Sequence, residues 1–221
     1  MAIRDIYICG AGGFGREIKM IIDQINEKKK IWNIAGFIDD SKKQNSKVID
    51  TLKVVGDSKS LSNIKKDVDV VIPIGKTHLR ENFYNKFKKN TKLKFPNIFH
   101  PSVTIEKSTL KLGKGNIFLT NSVISTCVEF GDFNIINMGA IVGHNVKLGN
   151  FTTINPNCNI GGGVTVGNHC YFGIGCSVIQ YVNIPSNVKI AGNSFVMKDC
   201  ESNFLYIGIP AKKSLPLTTK L

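Results

Sequence analysis

Two residues in the second half of the chain have the types and spacing that acyl-transfer chemistry needs. His144 lies in the segment VGHNVK, and Gly162 follows 18 residues later within a run of three glycines. An imidazole titrates near neutral pH and can remove the proton of an attacking amine. An unshielded backbone N–H can stabilise the oxyanion of a tetrahedral intermediate. If residues 18 apart stack on one another, this pair predicts acyl transfer to an amine.

A glycine-rich segment near the N-terminus predicts a loop that approaches a phosphate. It follows an apolar strand and precedes a helical pattern, which is the context a GxGxxG motif requires. Its glycines are Gly10, Gly12, Gly13 and Gly15, and the acidic pair Asp39 and Asp40 ends the next strand. Taken alone the motif is typical of NAD binding, yet about 100 residues leave no room for a second nucleotide-binding half. A turn that only packs helix on strand is the alternative.

The first hundred residues alternate apolar strands with charged, helix-like segments. Strands are predicted at 6–10, 33–40 and 68–75, helices at 16–27 and 77–90, and an extended segment at 93–101. Such alternation indicates βαβ units around a parallel sheet. We therefore expect a Rossmann-like α/β domain over residues 1–100.

A six-residue period replaces this pattern in the second half. Every sixth residue is large and apolar: Leu112, Phe118, Ile124, Phe130, Ile136, Val142, Leu148, Ile154, Ile160, Val166, Phe172, Val178, Ile184, Ile190 and Val196. The residue after each is often Gly or Asn, which suggests turns with positive φ. Small residues recur four positions after each large one, among them Ala140, Cys158, Cys170 and Cys176. This period indicates a parallel β-helix over 101–221, with three hexapeptides in each 18-residue coil.

The repeat resembles that of the hexapeptide-repeat acyltransferases over about residues 103–212. The segments GAGGFGRE, FIDD, IGKTHLR and FHPS extend the resemblance to the subgroup of bacterial sugar acetyltransferases. Membership would imply a left-handed β-helix, a homotrimer, acetyl-CoA bound between neighbouring prisms, and a nucleotide-linked amino sugar held by the first domain. It would also imply direct transfer without an acyl-enzyme and without a metal.

The resemblance also assigns residues to roles. His144 matches the catalytic histidine and Gly162 the glycine that contacts the thioester, while Asn145 replaces the usual Asp or Glu. The substrate positions are Gly10, Gly12, Gly13, Gly15, Asp39, Asp40, Gly75 and Arg80, with Lys76 in place of the usual Asn or Asp after Gly75. The acetyl-CoA positions are Gly162, Gly173, Pro210, Lys212 and Lys213.

Composition excludes several other classes. The net charge of +13 favours anionic ligands, but the lysines form no recognisable nucleic-acid motif. No apolar run reaches the ~20 residues of a membrane span, and the first residues do not resemble a signal peptide. Six cysteines without close pairing suit a reducing cytoplasm and indicate neither disulfides nor zinc. Of the remaining histidines, His78 is interpreted as a surface residue, His100 as structural, and His169 as exposed or at the trimer contact.

The sequence thus predicts an acetyl-CoA-dependent N-acetyltransferase that acts on a UDP- or dTDP-linked amino-dideoxy sugar. One alternative is O-acetylation of sialic acid or another sugar hydroxyl. The other is a non-catalytic protein that binds a nucleotide sugar or NAD, in which Asn145 would mark a decayed site.

Overall fold

The computed structural model describes residues 3–217. The chain divides into two compact units, residues 1–101 and residues 102–221. No helix within 3–217 is long and apolar enough to cross a membrane.

The first unit is an α/β domain built on a six-stranded sheet of order β3-β4-β2-β1-β5-β6. Its pairs are parallel except β3 with β4. The elements are β1 (Arg4–Cys9), α1 (Gly13–Lys28), β2 (Trp32–Ile38), β3 (Lys47–Ile49), β4 (Leu52–Gly56), α2 (Ser58–Ser62), β5 (Val68–Val71), α3 (Thr77–Asn85), β6 (Leu93–Lys94) and β7 (Ile98–Phe99). The predicted Rossmann-like class is confirmed. The hairpin β3–β4 and α2 lie in a segment for which the sequence predicted no element, and α3 ends at Asn85 instead of residue 90.

Buried isoleucines fix the first helix on the sheet. Ile18, Ile21, Ile22 and Ile25 recur at helical spacing in α1 and are all buried. Ile6 and Ile8 of β1, where the sequence predicted an apolar strand, are also fully buried. Burial of each such side chain stabilises the fold by roughly 1.5–3 kcal/mol, so this face holds the glycine-rich segment at the carboxyl end of β1.

The second unit is a β-helix whose strands are two residues long. They are β8 (Thr104–Ile105), β9 (Lys111–Leu112), β10 (Ile117–Phe118), β11 (Val123–Ile124), β12 (Glu129–Phe130), β13 (Ile135–Ile136), β14 (Ile141–Val142), β15 (Lys147–Leu148), β16 (Thr153–Ile154), β17 (Asn159–Ile160), β18 (Thr165–Val166), β19 (Tyr171–Phe172), β20 (Ser177–Val178), β21 (Asn183–Ile184), β22 (Lys189–Ile190) and β23 (Phe195–Val196). An antiparallel hairpin, β24 (Phe204–Ile207) and β25 (Lys212–Pro216), follows them.

From β9 to β20, each strand pairs in parallel with the strand 18 residues further on. Phe118 pairs with Ile136, and Val142 pairs with Ile160. The three faces run β9-β12-β15-β18-β21, β8-β11-β14-β17-β20-β23 and β10-β13-β16-β19-β22-β24. The predicted left-handed β-helix class is confirmed, and residues 18 apart do lie on adjacent coils.

The core of the β-helix consists of the two repeat positions seen in the sequence. Of the large apolar positions, all except the half-buried Leu112 are buried. The small position four residues later is also buried throughout, from Asn116 to Ser194. The hexapeptide pattern therefore reports the stacked interior directly.

The interpretation of the glycines after the large residues was wrong. Positive φ occurs two residues later, at the corners, for example at Asn145, Asn157 and Gly163. The glycines are needed because the next coil lies too close: a Cβ on Gly143 would stand 2.7 Å from the Gly162 nitrogen. Close backbone approach, and not turn geometry, thus excludes a side chain there.

Candidate functional site

The fold requires two of the four glycines in the first loop and leaves the other two without a structural reason. Gly10 has φ +113°, which side-chain-bearing residues rarely adopt. A Cβ on Gly15 would stand 1.8 Å from the Gly10 carbonyl oxygen, so helix packing requires this glycine. Nothing lies within 4 Å of a Cβ on Gly12 or Gly13. Backbone conformation therefore explains Gly10 and packing explains Gly15, whereas open space lies over Gly12 and Gly13, at the N-terminus of α1.

Asp39 is bonded to the glycine-rich loop. One carboxylate oxygen accepts the Ala11 N–H at 2.7 Å, and the other accepts the N–H and hydroxyl of Ser41 at 2.9 and 2.6 Å. Burial opposes the ionisation of Asp39, but the hydrogen bonds from Ser41 and Ala11 outweigh it and lower the pKa. This carboxylate is therefore ionised at neutral pH and holds the loop in place.

Asp40 ties the same strand end to α2 and α3. It accepts the N–H of Ser58 at 2.7 Å and the Ser58 hydroxyl at 3.0 Å, and it pairs with the Lys86 ammonium. Burial acts to raise the pKa of Asp40, whereas the bonds to Lys86 and Ser58 produce a net lowering. Sequence reasoning missed Ser58 and Lys86, because their meeting with Asp40 depends on how α2 and α3 pack.

Asp40 lines three cavities. The first has a volume of about 470 Å³ and is lined by Asp40, Asp57, Ser58, Lys59, Ser62 and Lys86. The second is about 200 Å³ and is lined by Gly10, Ile38, Asp39, Asp40, Ser41, Ile74 and Phe83. The third is about 320 Å³ and shares Asp39 and Asp40 with the second and Asp57 with the first. The predicted substrate positions Gly10, Asp39 and Asp40 are thus brought together at the carboxyl ends of β1 and β2.

Gly75 and Arg80 lie at the neighbouring strand end. The Gly75 Cβ position faces open space. Arg80 is only 1 % exposed, and its guanidinium donates hydrogen bonds to the carbonyl oxygens of Ile74 and Gly75. Burial lowers the pKa of Arg80 to about 9. The Arg80 side chain therefore supports the loop after β5 from inside the domain.

His144 and Asn145 form a hydrogen-bonded pair at a corner of the β-helix. The His144 Nδ1 and the Asn145 Oδ1 are 2.9 Å apart, and both residues are exposed. An amide oxygen can only accept, so Nδ1 carries the hydrogen and Nε2 presents its lone pair. This is the tautomer that a general base acting through Nε2 requires.

Gly162 lies on the next coil, directly over the His144 ring. A Cβ on Gly162 would be 2.5 Å from the His144 Nε2 and 2.6 Å from its Cε1. Adjacent backbone bonds fix this stacking, since Gly163 N–H donates to the His144 carbonyl at 2.8 Å. Within residues 3–217, the Gly162 N–H donates to no acceptor. The structure thus brings a ring nitrogen and an uncommitted N–H together at one corner.

The three consecutive glycines at this corner each make room for a different group. A Cβ on Gly161 would stand 2.6 Å from the Gln180 nitrogen. Gly162 leaves room for the His144 ring. Gly163 has φ +69°, and a Cβ on it would stand 2.5 Å from the Tyr181 ring. Tyr181 is 71 % exposed and was not anticipated from the sequence. Its ring lies over Gly163, one coil further along the same corner.

The predicted acetyl-CoA residues lie in the later coils and in the C-terminal hairpin. Gly173 is buried, with the Gly192 nitrogen 2.4 Å from its Cβ position. Pro210 follows a cis peptide bond between β24 and β25. The Lys213 ammonium pairs with Glu201 at 2.8 and 2.9 Å and lies over the Phe204 ring at 4.6 Å. Both lysines are exposed, but Lys213 is engaged with Glu201, so Lys212 is better suited to meet a phosphate.

The other histidines have structural surroundings. His100 Nε2 is 2.6 Å from the Gln24 Oε1, and burial lowers the pKa of His100. His169 stacks on Phe151, with ring centroids 5.5 Å apart and planes within 5°. His78 is half-buried in the first turn of α3. None of these contacts resembles the arrangement at His144.

Comparison with known proteins agrees with this architecture. Residues 5–87 match the sequence model of the PglD N-terminal domain. A search of the curated proteins finds no match. PerB from Caulobacter crescentus, solved with CoA and GDP-perosamine, is 27 % identical over 96 % of this chain and 98 % of PerB, with a TM-score of 0.84. A mutant of the perosamine N-acetyltransferase from the same organism, with one histidine replaced by asparagine and both ligands present, is 26 % identical over the same shares, with a TM-score of 0.83.

The acetyltransferase domain of PglB from Neisseria gonorrhoeae is 21 % identical over 96 % of this chain and all of that domain, with a TM-score of 0.85. This likeness shows the fold alone. The matches confirm the class predicted from the sequence: the chain is similar to hexapeptide-repeat sugar acetyltransferases, with an α/β domain ahead of the β-helix. Its first domain is similar to the PglD N-terminal domain, and its similarity to PerB spans nearly the whole length of both chains.

Proposed function

We propose that the protein transfers the acetyl group of acetyl-CoA to the amino group of a nucleotide-linked amino-dideoxy sugar. The observation that carries this proposal is the corner at which the His144 Nε2 meets the uncommitted N–H of Gly162. The likeness to PerB supports the same reaction, since that protein is solved with CoA and an amino sugar linked to GDP. The nucleotide is therefore not restricted to UDP or dTDP.

The first domain binds the nucleotide sugar. Open space over Gly12 and Gly13 at the N-terminus of the 16-residue helix α1 allows a phosphate to approach the backbone. Asp39 and Asp40 border the adjoining cavities and offer ionised carboxylates to sugar or base N–H and O–H groups. Arg80 acts indirectly, by fixing the Ile74–Gly75 loop at the rim.

His144 is the general base. Its Nε2 takes the proton from the sugar amine as the nitrogen attacks the thioester carbonyl and the C–N bond forms. The Gly162 N–H donates to the carbonyl oxygen as that oxygen becomes negative. When the intermediate collapses, the C–S bond breaks and the imidazolium returns its proton to the CoA thiolate. Asn145 holds the ring through Nδ1 but adds no charge, so the corner positions the base without an acidic partner.

The β-helix and the C-terminal hairpin bind acetyl-CoA, with Gly173 and Pro210 along its path and Lys212 at its phosphates. Lys213 holds the hairpin through Glu201. We place the protein in the cytoplasm, which suits its six free thiols.

The working assembly is a homotrimer. Exposed apolar side chains gather on one face and its edges, and a patch of this kind marks an interaction surface. They are Val123, Met138, Ile141, Ile174 and Ile179. Sedimentation of the purified chain at the mass of three copies supports this assembly, and a monomer at micromolar concentration contradicts it.

Release of CoA thiol in the presence of acetyl-CoA and a GDP-, UDP- or dTDP-linked 4-amino sugar tests the function. We expect turnover with at least one amino sugar and a loss of about 10²–10⁴-fold in kcat for His144→Ala, with both Michaelis constants nearly unchanged. Turnover only with sugars that lack the amine indicates O-acetylation. Tight sugar binding without turnover of any acceptor indicates a binding protein, and an active His144→Ala variant refutes the assignment of the base.

A further inference from the structure

The position of the His144 ring depends on the lack of a Cβ atom at Gly162. The site where a Cβ would stand on Gly162 lies 2.5, 2.6 and 3.0 Å from Nε2, Cε1 and Cδ2 of the imidazole. Real Cβ atoms do not approach other heavy atoms this closely. The ring therefore occupies the space that a side chain on residue 162 would fill.

We propose that Gly162 is a positioning residue for the imidazole, in addition to any role of its N–H, and that its bare Cα is the seat that holds His144 in its working orientation. This inference rests on the proposed function of His144 as the base. Two features then position the ring: the Asn145 Oδ1 accepts the hydrogen bond of Nδ1, and the lack of a Cβ on Gly162 leaves room for Nε2 and Cε1.

The neighbouring glycines show why the seat is specific to position 162. A Cβ on Gly161 would meet the Gln180 backbone, and one on Gly163 would meet the Tyr181 ring at a residue with φ +69°. Only at Gly162 are the three nearest atoms all those of the histidine.

The substitution Gly162→Ala separates the two roles. Alanine keeps the backbone N–H, so an oxyanion donor survives the change. The added Cβ displaces the far end of an exposed side chain and no backbone atom, so the coil can keep its fold while the ring turns aside. Because a misplacement of about 1 Å can lower a rate by ~10²-fold, we expect a loss of this order in kcat with nearly normal affinity for acetyl-CoA.

The matched control is Gly192→Ala. Gly192 occupies the same hexapeptide position two residues after a large apolar residue, but the nearest atom to its Cβ position is the Ile174 carbonyl oxygen at 3.2 Å. Thermal unfolding of both variants should be close to that of the parent protein, and the control should retain its rate. A resonance assignment of the histidine ring nitrogens supplies a readout other than activity: Gly162→Ala should lose the Nδ1–H signature that the bond to Asn145 produces.

A double-mutant cycle tests whether the added Cβ acts through the His144 ring. If the Cβ acts through the ring, Gly162→Ala in a His144→Ala background should cause no further loss of rate. Three results would each refute this positioning role: an equal fold-loss of rate in both backgrounds, unchanged ring resonances, or a loss of acetyl-CoA affinity that matches the loss of rate. An active His144→Ala variant would instead refute the proposed function, so the two failures are distinguishable.

Discussion

Replacing Asn145 by aspartate tests the electrostatic part of the histidine pair. Asn145 has φ 59° and its Oδ1 lies 2.9 Å from the His144 Nδ1. Asparagine and aspartate both tolerate this backbone conformation, so Asn145→Asp should leave the corner intact. The change adds one negative charge beside the ring and keeps an acceptor oxygen at the same place.

The expected magnitude follows from distance and exposure. Opposite unit charges about 4 Å apart interact by ~1 kcal/mol in water and by ~4 kcal/mol at an effective dielectric constant of 20. Both residues are exposed, so the lower figure applies. Because about 1.4 kcal/mol corresponds to one pH unit, the acid limb of the pH–rate profile should move upward by roughly 0.7 unit.

Initial rates of CoA release between pH 5.5 and 9 measure this shift. A carboxylate favours the protonated imidazole, so activity on the acid limb should fall about fivefold while the plateau is kept or rises. Asn157→Asp is the matched control, because Asn157 is an exposed corner residue with φ 58° and lies one residue before Cys158, away from His144. A limb that does not move, moves downward, or moves equally in the control would refute the reasoning, as would the same shift in a His144→Ala background.

Two further predictions concern the glycine-rich loop and the thiols. Gly12→Val should leave thermal unfolding nearly unchanged, because nothing lies within 4 Å of the Cβ position. It should weaken nucleotide-sugar binding at least tenfold and leave acetyl-CoA binding unchanged. Equal losses of affinity for both ligands in calorimetry would contradict this. Iodoacetamide at pH 8 should label only the exposed Cys127, because the other five thiols are buried and burial raises the pKa of Cys170 and of Cys200 to about 12; a second label in the folded protein, found by mass spectrometry, would contradict that.

The repeat made the β-helix predictable, because each interior position is identical in every coil. Counting by 18 was enough to place His144 beside Gly162 before any coordinate was known. The same logic failed for the glycines after the large residues, since the sequence does not separate a tight turn from a close approach of two backbones. Coordinates were needed to see that Gly143 faces the Gly162 nitrogen while Asn145 has the positive φ.

Contacts between elements of irregular spacing could not be predicted. The bond between Asp40 and Ser58 depends on the short hairpin β3–β4 and on α2, whose few apolar residues gave no periodic signal. The pairing of Lys213 with Glu201 depends on the register of the terminal hairpin, and a sequence of lysines does not specify which one is engaged. The regular stacking of the second domain thus made its proposed catalytic residues predictable from the sequence. The binding surface of the first domain was not predictable, because it depends on how its elements pack.

The corner that contains Lys114 and the corner that contains Gly162 differ in whether their backbone N–H groups are hydrogen-bonded. At one corner, each backbone N–H two residues after a large apolar residue donates to a side chain on the next coil. This ladder runs from Lys114 to Asp132, Asn150, Asn168 and Ser186, with donor–acceptor distances of 2.7 to 2.9 Å. At the equivalent position Gly162, the next coil presents Gln180, and no residue within 3–217 accepts the N–H. The whole Gly162 corner lacks such a ladder, because within residues 3–217 the N–H groups of Thr126, His144 and Gln180 have no acceptor either. The Gly162 N–H differs from these neighbours in one respect: the ring nitrogen of His144 lies beside its residue.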